Sequence, residues 1–451
     1  MILVLNLYTG MIHIGATCLC TYLFMRFYRH PNGPWINFAM VLASMSLCHI
    51  DRLRLGTMGD TSLDYSGTLM IATIKLSSFG FNVMDGRRDT SELTPYNKKM
   101  KILQYPTLTE FFGWMFFFGG VLVGPTCEYM DYIRFTYGRP LSPSTEKHVR
   151  QPSSTWKPTI RLLGQSLLFI IILVTYSPKY DAMAVLEPSW KSLSFYQRLW
   201  FLQMAAFTAR CKYYAVWLMA EGACVLCGFG FNGYDSKGEA RWDRLSNIRV
   251  VSCETAQSLK QLGEAWNIGA NRWLRHYVYL RVTPPNKKAG SKSAFLTYAV
   301  SATWHGFYPG YYIMFLSISF FQVLARKIRR SVRPLMLTPD MKSSVGIRKF
   351  VYDLAGWVAT MGLINILSMS FILLHISPTV QAWSGIYFAH YWIGLLLFGF
   401  WKVSHRHLVR WQKNRAAGWP SPPRVETPMI SEMAVEPATN SGTPSNSLKV
   451  E

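Results

Sequence analysis

The first residue to explain is an imidazole. His305 stands in Ser301-Ala302-Thr303-Trp304-His305-Gly306, within a stretch from Ala294 to Ala325 that has no Asp, Glu, Lys or Arg. It is the only side chain there that exchanges a proton near neutral pH. Burying such a group in lipid is costly, so its presence is a functional hypothesis by default. A neutral imidazole in an apolar tunnel suits a general base that takes a proton from an alcohol. The plainer alternative is a structural histidine hydrogen-bonded between helices. Gly306 lets backbone or substrate approach closely, and Pro309-Gly310 can free backbone groups within the run. Ser301 and Thr303 offer hydroxyls on either side. No Ser or Cys nucleophile motif lies nearby, which argues against a covalent enzyme intermediate.

A second polar signature runs Glu264-Ala265-Trp266-Asn267-Ile268-Gly269-Ala270-Asn271-Arg272-Trp273-Leu274-Arg275. The Asn267 amide can orient a nucleophile or stabilise an oxyanion. Equally, the segment can be an interfacial helix with Trp266 and Trp273 at headgroup level and Arg272 and Arg275 in water. Spacing leaves both open. Arg210-Cys211-Lys212-Tyr213-Tyr214 interrupts a hydrophobic stretch ahead of Glu221. It reads as an internal ion-pair cluster or as a basic wall for phosphates. Gly228-Phe229-Gly230-Phe231-Asn232-Gly233 follows no strand and opens no phosphate-binding helix, so it reads as a turn or a close packing point. Glu128 and Asp131, three residues apart, read as interfacial anchors. Lys75, alone in an apolar run, implies helix packing or a polar cavity wall. Cys224-Val225-Leu226-Cys227 lacks a second pair and a nearby His, so these are small buried hydrophobes and no metal is expected. The eight scattered cysteines imply no disulfide framework.

These residues need elements to hold them. Of 451 residues, 50% are hydrophobic and 16% charged, and the apolar ones gather into runs separated by basic connectors. The runs are Met1–Met25, Trp35–Ile50, Phe111–Cys127, Leu162–Pro178, Leu199–Ala209, Tyr213–Tyr234, Ala294–Ala325 and Leu354–Trp401. The last accommodates two spans of about 20 residues joined by a tight hairpin near Pro378–Gly385. Runs interrupted by Lys75, Arg210, Lys212 and Glu221 predict tilted, broken or re-entrant helices, which survive at membrane depth only when packed on protein or lining a wet cavity. The expected fold is all-α: a polytopic membrane bundle of eight to eleven helical segments. The N-terminal run lacks a basic n-region and a cleavage site, so it is a retained span, and further chain is expected upstream.

The net charge of +23 does not indicate nucleic-acid binding, because the cations lie between apolar runs rather than along one soluble domain. They suit juxtamembrane positions. Arg326–Lys349 and Lys402–Arg424 flank two spans and therefore share a side, which the positive-inside rule makes cytosolic. The basic connector Arg241–Lys292 falls on that side only if Ala294–Ala325 is broken or re-entrant near Pro309-Gly310. Residues 1–411 are expected to form one membrane domain. Residues 412–451 should be a tail, basic and then rich in Pro, Ser and Thr, and disordered.

Taken in order, the segments resemble the membrane-bound O-acyltransferase family. The matching residues are Asp64-Tyr65-Ser66-Gly67, Gly124-Pro125-Thr126 with Glu128-Tyr129 and Asp131-Tyr132, Arg210 to Tyr214 with Trp217, Glu221-Gly222-Ala223 and Gly228 to Gly233. Trp266-Asn267, Trp273-Leu274-Arg275 and Trp304-His305-Gly306 complete the set. The resemblance covers about residues 8 to 410 and is closest to a fungal broad-specificity lysophospholipid acyltransferase branch. It implies helices enclosing a chamber open to cytosol and lipid in the endoplasmic reticulum membrane. It also implies transfer of an acyl group from acyl-CoA, as co-substrate, to the hydroxyl of a lysophospholipid. No tightly bound cofactor and no required protein partner are implied. His305 and Asn267 take the family's catalytic positions. Arg210, Lys212, Tyr213, Trp266, Arg272, Trp273, Arg275 and Trp304 are the candidate substrate contacts. The family pattern has further spans before Leu7-Tyr8-Thr9-Gly10. Sterol, diacylglycerol or protein acceptors are the alternatives within the family. Outside it, the alternatives are a transporter, which would predict paired half-molecule repeats that are not seen, or an inactive lipid-binding scaffold.

Overall fold

Backbone amides in hydrocarbon have no water to bond, so long apolar runs must close their hydrogen bonds as helices. The computed structural model describes residues 8–56, 65–139, 151–284, 290–338 and 346–417. Among them the regular structure is helical, apart from isolated bridge residues such as the pair Tyr234 and Ala240. The N-terminal half carries α1 (Tyr8–Phe27), α2 (Gly33–Leu55), α3 (Ser66–Asp85), α4 (Pro95–Met100), α5 (Leu108–Met115) and α6 (Tyr129–Thr136). Then come α7 (Trp156–Tyr176), α8 (Pro188–Ser192), α9 (Phe195–Leu226), α10 (Val250–Glu254), α11 (Leu259–Ala265) and α12 (Ile268–Trp273). α12 runs straight into a π-helical turn, Leu274–Tyr279. α13 (Ser291–His305), α14 (Pro309–Val332), α15 (Gly346–Leu373), α16 (Ile376–Ser384) and α17 (Ala389–Ala417) complete the described chain. Among the described helices, α1, α2, α7 and α15 are each long and apolar enough to cross a membrane; α16 and α17 pass together, bent by 71°.

α3 is the central post. Almost all of it is buried, so it need not be apolar in the way a lipid-facing span must. Its hydroxyls bond inward: Thr73 to the Leu69 carbonyl at 2.8 Å and Ser77 to the Thr73 carbonyl at 2.6 Å. Lys75, only 1% exposed, donates to the carbonyls of Trp114 (2.8 Å) and Met115 (3.3 Å). Those carbonyls end α5, where no intrahelical donor remains and the helix dipole favours a cation. Of the two readings of Lys75, helix packing is the one observed.

Several runs fold differently from their sequence reading. Phe111–Cys127 is no span: α5 ends at Met115, and the chain turns through Gly119 and Gly120 to reach α6. A Cβ at Gly119 would fall 2.5 Å from Cys224 Sγ, and one at Gly120 would land on the Pro125 carbonyl. This irregular backbone is therefore packed on protein, where it is tolerated. Leu199–Ala209 and Tyr213–Tyr234 are not two segments but mostly one unbroken helix, α9, with Gly228–Gly233 forming the turn beyond it. Gly228 and Gly233 have φ of 90° and 81°. Charge does not break α9 because Arg210 finds acidic and amide partners while Lys212 is exposed. The expected hairpin near Pro378–Gly385 is the short helix α16. The break in Ala294–Ala325 is real: α13 stops at His305 and α14 starts at Pro309. α17 continues to Ala417, and Asp64 and residues 418–451 lie outside the described residues.

Three apolar cores result among the described residues. The smallest joins α9, α10 and α11 through Tyr214, Trp217, Cys253 and Ala265. Of the larger two, one joins α1, α2 and α3 with α5, α6, α12 and Trp304; the other joins α9, α14, α15 and α16. α13 packs on both α2 and α14, so its C-terminus lies at the seam between them.

Candidate active site

His305 is the last residue of α13, and aromatic rings hold it. Trp304 is 4.7 Å away between centroids, Phe371 4.9 Å, Phe315 5.2 Å and stacked, and Tyr311 5.7 Å. The wall is thus built by α13, α14 and α15. Among the described residues the imidazole has no hydrogen-bond partner, and its ring nitrogens are not sealed from solvent-sized space. A structural histidine would spend its nitrogens on neighbouring helices. This one is fixed by stacking with both nitrogens left for something else.

The turn after it is just as constrained. Gly306 has φ 126°, a conformation that favours glycine. Trp304 is buried and its indole N–H donates to the Met70 carbonyl of α3 at 3.0 Å. Trp273 does likewise to Ser77 Oγ at 2.9 Å, with its ring 5.9 Å from that of Trp304. Both indoles hold α12 and α13 onto α3. A residue that the motif search did not single out joins them: buried His49 of α2, whose Nε2 donates to the Trp304 carbonyl at 3.2 Å. No local pattern marks His49; only the fold brings it beside residue 304.

Asn267 precedes α12 with φ 42° and ψ 58°, a left-handed conformation that asparagine tolerates better than most residues. Its side-chain oxygen accepts from Ala270 N at 3.4 Å, capping the helix. Among the described residues its amide nitrogen has no partner. The segment is pinned from outside: the Asn247 carbonyl accepts from Ile268 N and the Asn247 side chain from Gly269 N, each at 2.9 Å. Trp266 packs on Tyr213 (5.6 Å), Tyr214 (5.8 Å) and Trp217 (5.0 Å). A polar recess of about 380 Å³ opens at α10 and α11, with Arg249, Gln257, Gln261 and Glu264 in its wall; His305 and Asn267 are not part of it.

The candidate cations separate. Arg210 is committed: it makes a bidentate pair with Glu254, at 3.0 Å for each bond, and donates to Asn365. Tyr214 donates to the same carboxylate. Arg210 does not pair with Glu221, which accepts from Ser246. Eleven helical positions put the two on one face but about 16 Å apart along the axis. Lys212 is exposed, its ammonium 5.6 Å from the Tyr213 ring. Arg275 is exposed and Arg272 half-buried, neither with an ion-pair partner among the described residues. Arg272 belongs to a cationic group that sequence spacing did not reveal, with Lys99 of α4, Arg134 of α6 and Arg244, around Asp131. Burial first, then Arg244, Arg134 and Arg272, pull the Lys99 pKa below the usual lysine value, against the opposing pull of Asp131. Asp243 also acts on Arg244, and the four cations outnumber these two carboxylates. Next to it Glu128 accepts from Tyr96 (2.7 Å), Tyr277 (3.0 Å) and Asn82 (3.0 Å), tying α3, α4 and the π turn together. Glu128 is thus an internal tie rather than the interfacial anchor read from sequence.

The fold is thus a multi-helix membrane bundle that holds an imidazole at a helix break and a capped asparagine turn. The family model described as membrane-bound O-acyltransferase matches residues 55–370. The chain belongs to that family. It is 38% identical to a lysophospholipid acyltransferase of Schizosaccharomyces pombe, over 85% of this chain and 75% of that protein. It is 34% identical to a lysophospholipid acyltransferase of Saccharomyces cerevisiae, over 85% of this chain and 65% of that protein. It is also 34% identical to the membrane-bound glycerophospholipid O-acyltransferase 2 of Mus musculus, over 78% and 67% of the two chains.

Proposed function

We propose that this protein transfers a fatty acyl group from acyl-CoA to the free hydroxyl of a lysophospholipid, yielding a diacyl phospholipid and CoA, in the endoplasmic reticulum membrane. The relatives' names support the acceptor class. The observation that carries the chemistry is the aromatic-walled, unbonded imidazole of His305. A His305 nitrogen takes the hydroxyl proton as the acceptor oxygen attacks the thioester carbonyl carbon. The negative charge on the former carbonyl oxygen is met by the Asn267 amide N–H. The intermediate then collapses, the C–S bond breaks, and the imidazolium returns its proton to the sulfur, releasing CoA as the thiol. A thioester is already activated, so much of the rate comes from holding the two substrates together. Arg272, with Lys99, Arg134 and Arg244, supplies positive charge for CoA phosphates, and exposed Lys212 and Arg275 are further contacts. Arg210 stays in its ion pair and supports α9. Acyl-CoA enters as a co-substrate and leaves as CoA.

The test is acyl transfer in microsomes lacking endogenous acyltransferases, given labelled oleoyl-CoA with a panel of lysophospholipids, diacylglycerol and sterol. Diacyl phospholipid made by the wild type, and cut at least 100-fold by His305→Ala at equal membrane abundance, is the expected result. A sterol ester or triacylglycerol would move the protein to another acceptor class. No product from any acceptor would sink the reading.

A further inference from the structure

We propose that His49 is a positioning residue for this reaction: it fixes the turn that follows the base and thereby aims the His305 ring. The inference rests on the reading of His305 as the base. Trp304 and His305 share a peptide group, and its carbonyl lies among the last four of α13, which lack an intrahelical donor. His49 Nε2 supplies that donor at 3.2 Å from within a buried setting, His49 being 2% exposed. A carbonyl only accepts, so Nε2 carries a proton and donates it in this bond. The same ring lies against the next residues. A Cβ on Gly306 would come to 3.4 Å from His49 Nδ1 and equally close to the Tyr311 ring. Phe307 meets His49 edge to face at 6.2 Å. One side chain of α2 thus touches residues 304, 306 and 307, which bracket the base. Among the described residues the His305 nitrogens receive no bond of their own, so stacking and the peptide plane behind the ring determine where they point. Rotating that plane would swing the imidazole. His49 also lies outside the segment matched by the family model, and it reaches its partner across 255 positions of sequence.

The experiment compares His49→Phe, His49→Gln and His49→Asn with wild type and His305→Ala, purified in detergent and assayed per mole of monodisperse protein. Glutamine places an N–H donor near the position of Nε2; phenylalanine keeps the volume without the donor; asparagine carries the donor one methylene short. The expected result is a 10- to 100-fold lower kcat for His49→Phe and His49→Asn, the scale of a small misplacement of a reacting group. KM for both substrates should stay within about twofold, and His49→Gln should recover most of kcat. Where His49→Phe yields no monodisperse protein, the asparagine and glutamine pair carries the same comparison. Wild-type kcat in the variants lacking the donor overturns the proposal, as does a glutamine variant as impaired as the asparagine one. An active His305→Ala would instead overturn the general-base reading, and the positioning role with it, so the two failures are told apart.

Discussion

The two residues proposed to carry the chemistry are held in opposite ways. Among the described residues, His305 is stacked among rings with no hydrogen bond to its nitrogens, whereas Asn267 spends its oxygen on Ala270 N and keeps its amide nitrogen available. A left-handed backbone is a small local strain, of the kind that concentrates where geometry serves function. Replacing Asn267 by alanine removes a helix cap and an oxyanion donor together. The cap accounts for about 1 kcal/mol of stability, and the donor for a loss in kcat of about 100- to 1,000-fold. Turnover at saturating acyl-CoA and lysophospholipid, measured beside thermal unfolding in detergent, separates the two effects. A variant that lost stability but kept wild-type turnover would reduce Asn267 to a capping residue. His305 stood out in sequence because an ionisable group in an apolar run is conspicuous, whereas spacing left Asn267 open and only the family resemblance singled it out. His49 did not stand out, since its partner lies in another helix. The fate of Arg210 was equally hidden: its acidic partner, Glu254, is 44 positions away.

Helix breaks are what turn these side chains into a site. α13 and α14 are one apolar run in sequence, and the break between them puts His305 at a helix end facing α15. Gly310 makes the docking possible. Its N–H donates to the Leu374 carbonyl at 2.7 Å, and a Cβ there would land on the Ser370 carbonyl and lie 2.8 Å from that of Leu374. Neither backbone carbonyl can step aside as a flexible side chain would. Gly310→Ala is therefore expected to push α14 off α15 at an overpacking cost of about 1–3 kcal/mol. Because Tyr311, Phe315 and Phe371 form the His305 wall, kcat should fall along with the midpoint of thermal unfolding. A variant with unchanged unfolding would show that this contact is looser than its geometry implies.

At the scale of the molecule, the basic ends of α14 and α17 lie side by side. Gln412 donates to the Ser331 carbonyl at 2.5 Å, and Arg415 to the carbonyls of Leu335 and Leu337 at 2.9 and 3.2 Å. Charge counting alone placed these segments on one side, with two spans between them. The positive-inside rule predicts that this side is cytosolic. Arg330 and Lys413 are exposed there. With the exposed Cys20 and Cys227 changed to serine, Arg330→Cys and Lys413→Cys should both react with a membrane-impermeant maleimide in sealed microsomes, before detergent is added. Labelling of either one only after permeabilisation would refute the shared cytosolic side.

The division between what the chain announces and what it conceals follows from range. Apolar run length and basic connectors determined an all-α membrane bundle, because the lipid environment acts on each segment separately. The break at Pro309-Gly310 was local in the same sense. Motif order alone was enough to suggest the family. Tertiary structure decided whatever depended on partners distant in sequence. Phe111–Cys127 is as apolar as a span, yet it folds as irregular packing against α9, since nearby protein can satisfy backbone that lipid cannot. α3 carries Lys75, Ser77 and Asn82 through the interior because α5, Trp273 and Glu128 meet them. The grouping of Lys99, Arg134, Arg244 and Arg272, and of His49 with His305, needed the same long-range packing. Periodicity reports which face of a helix is apolar; only packing decides what that face meets.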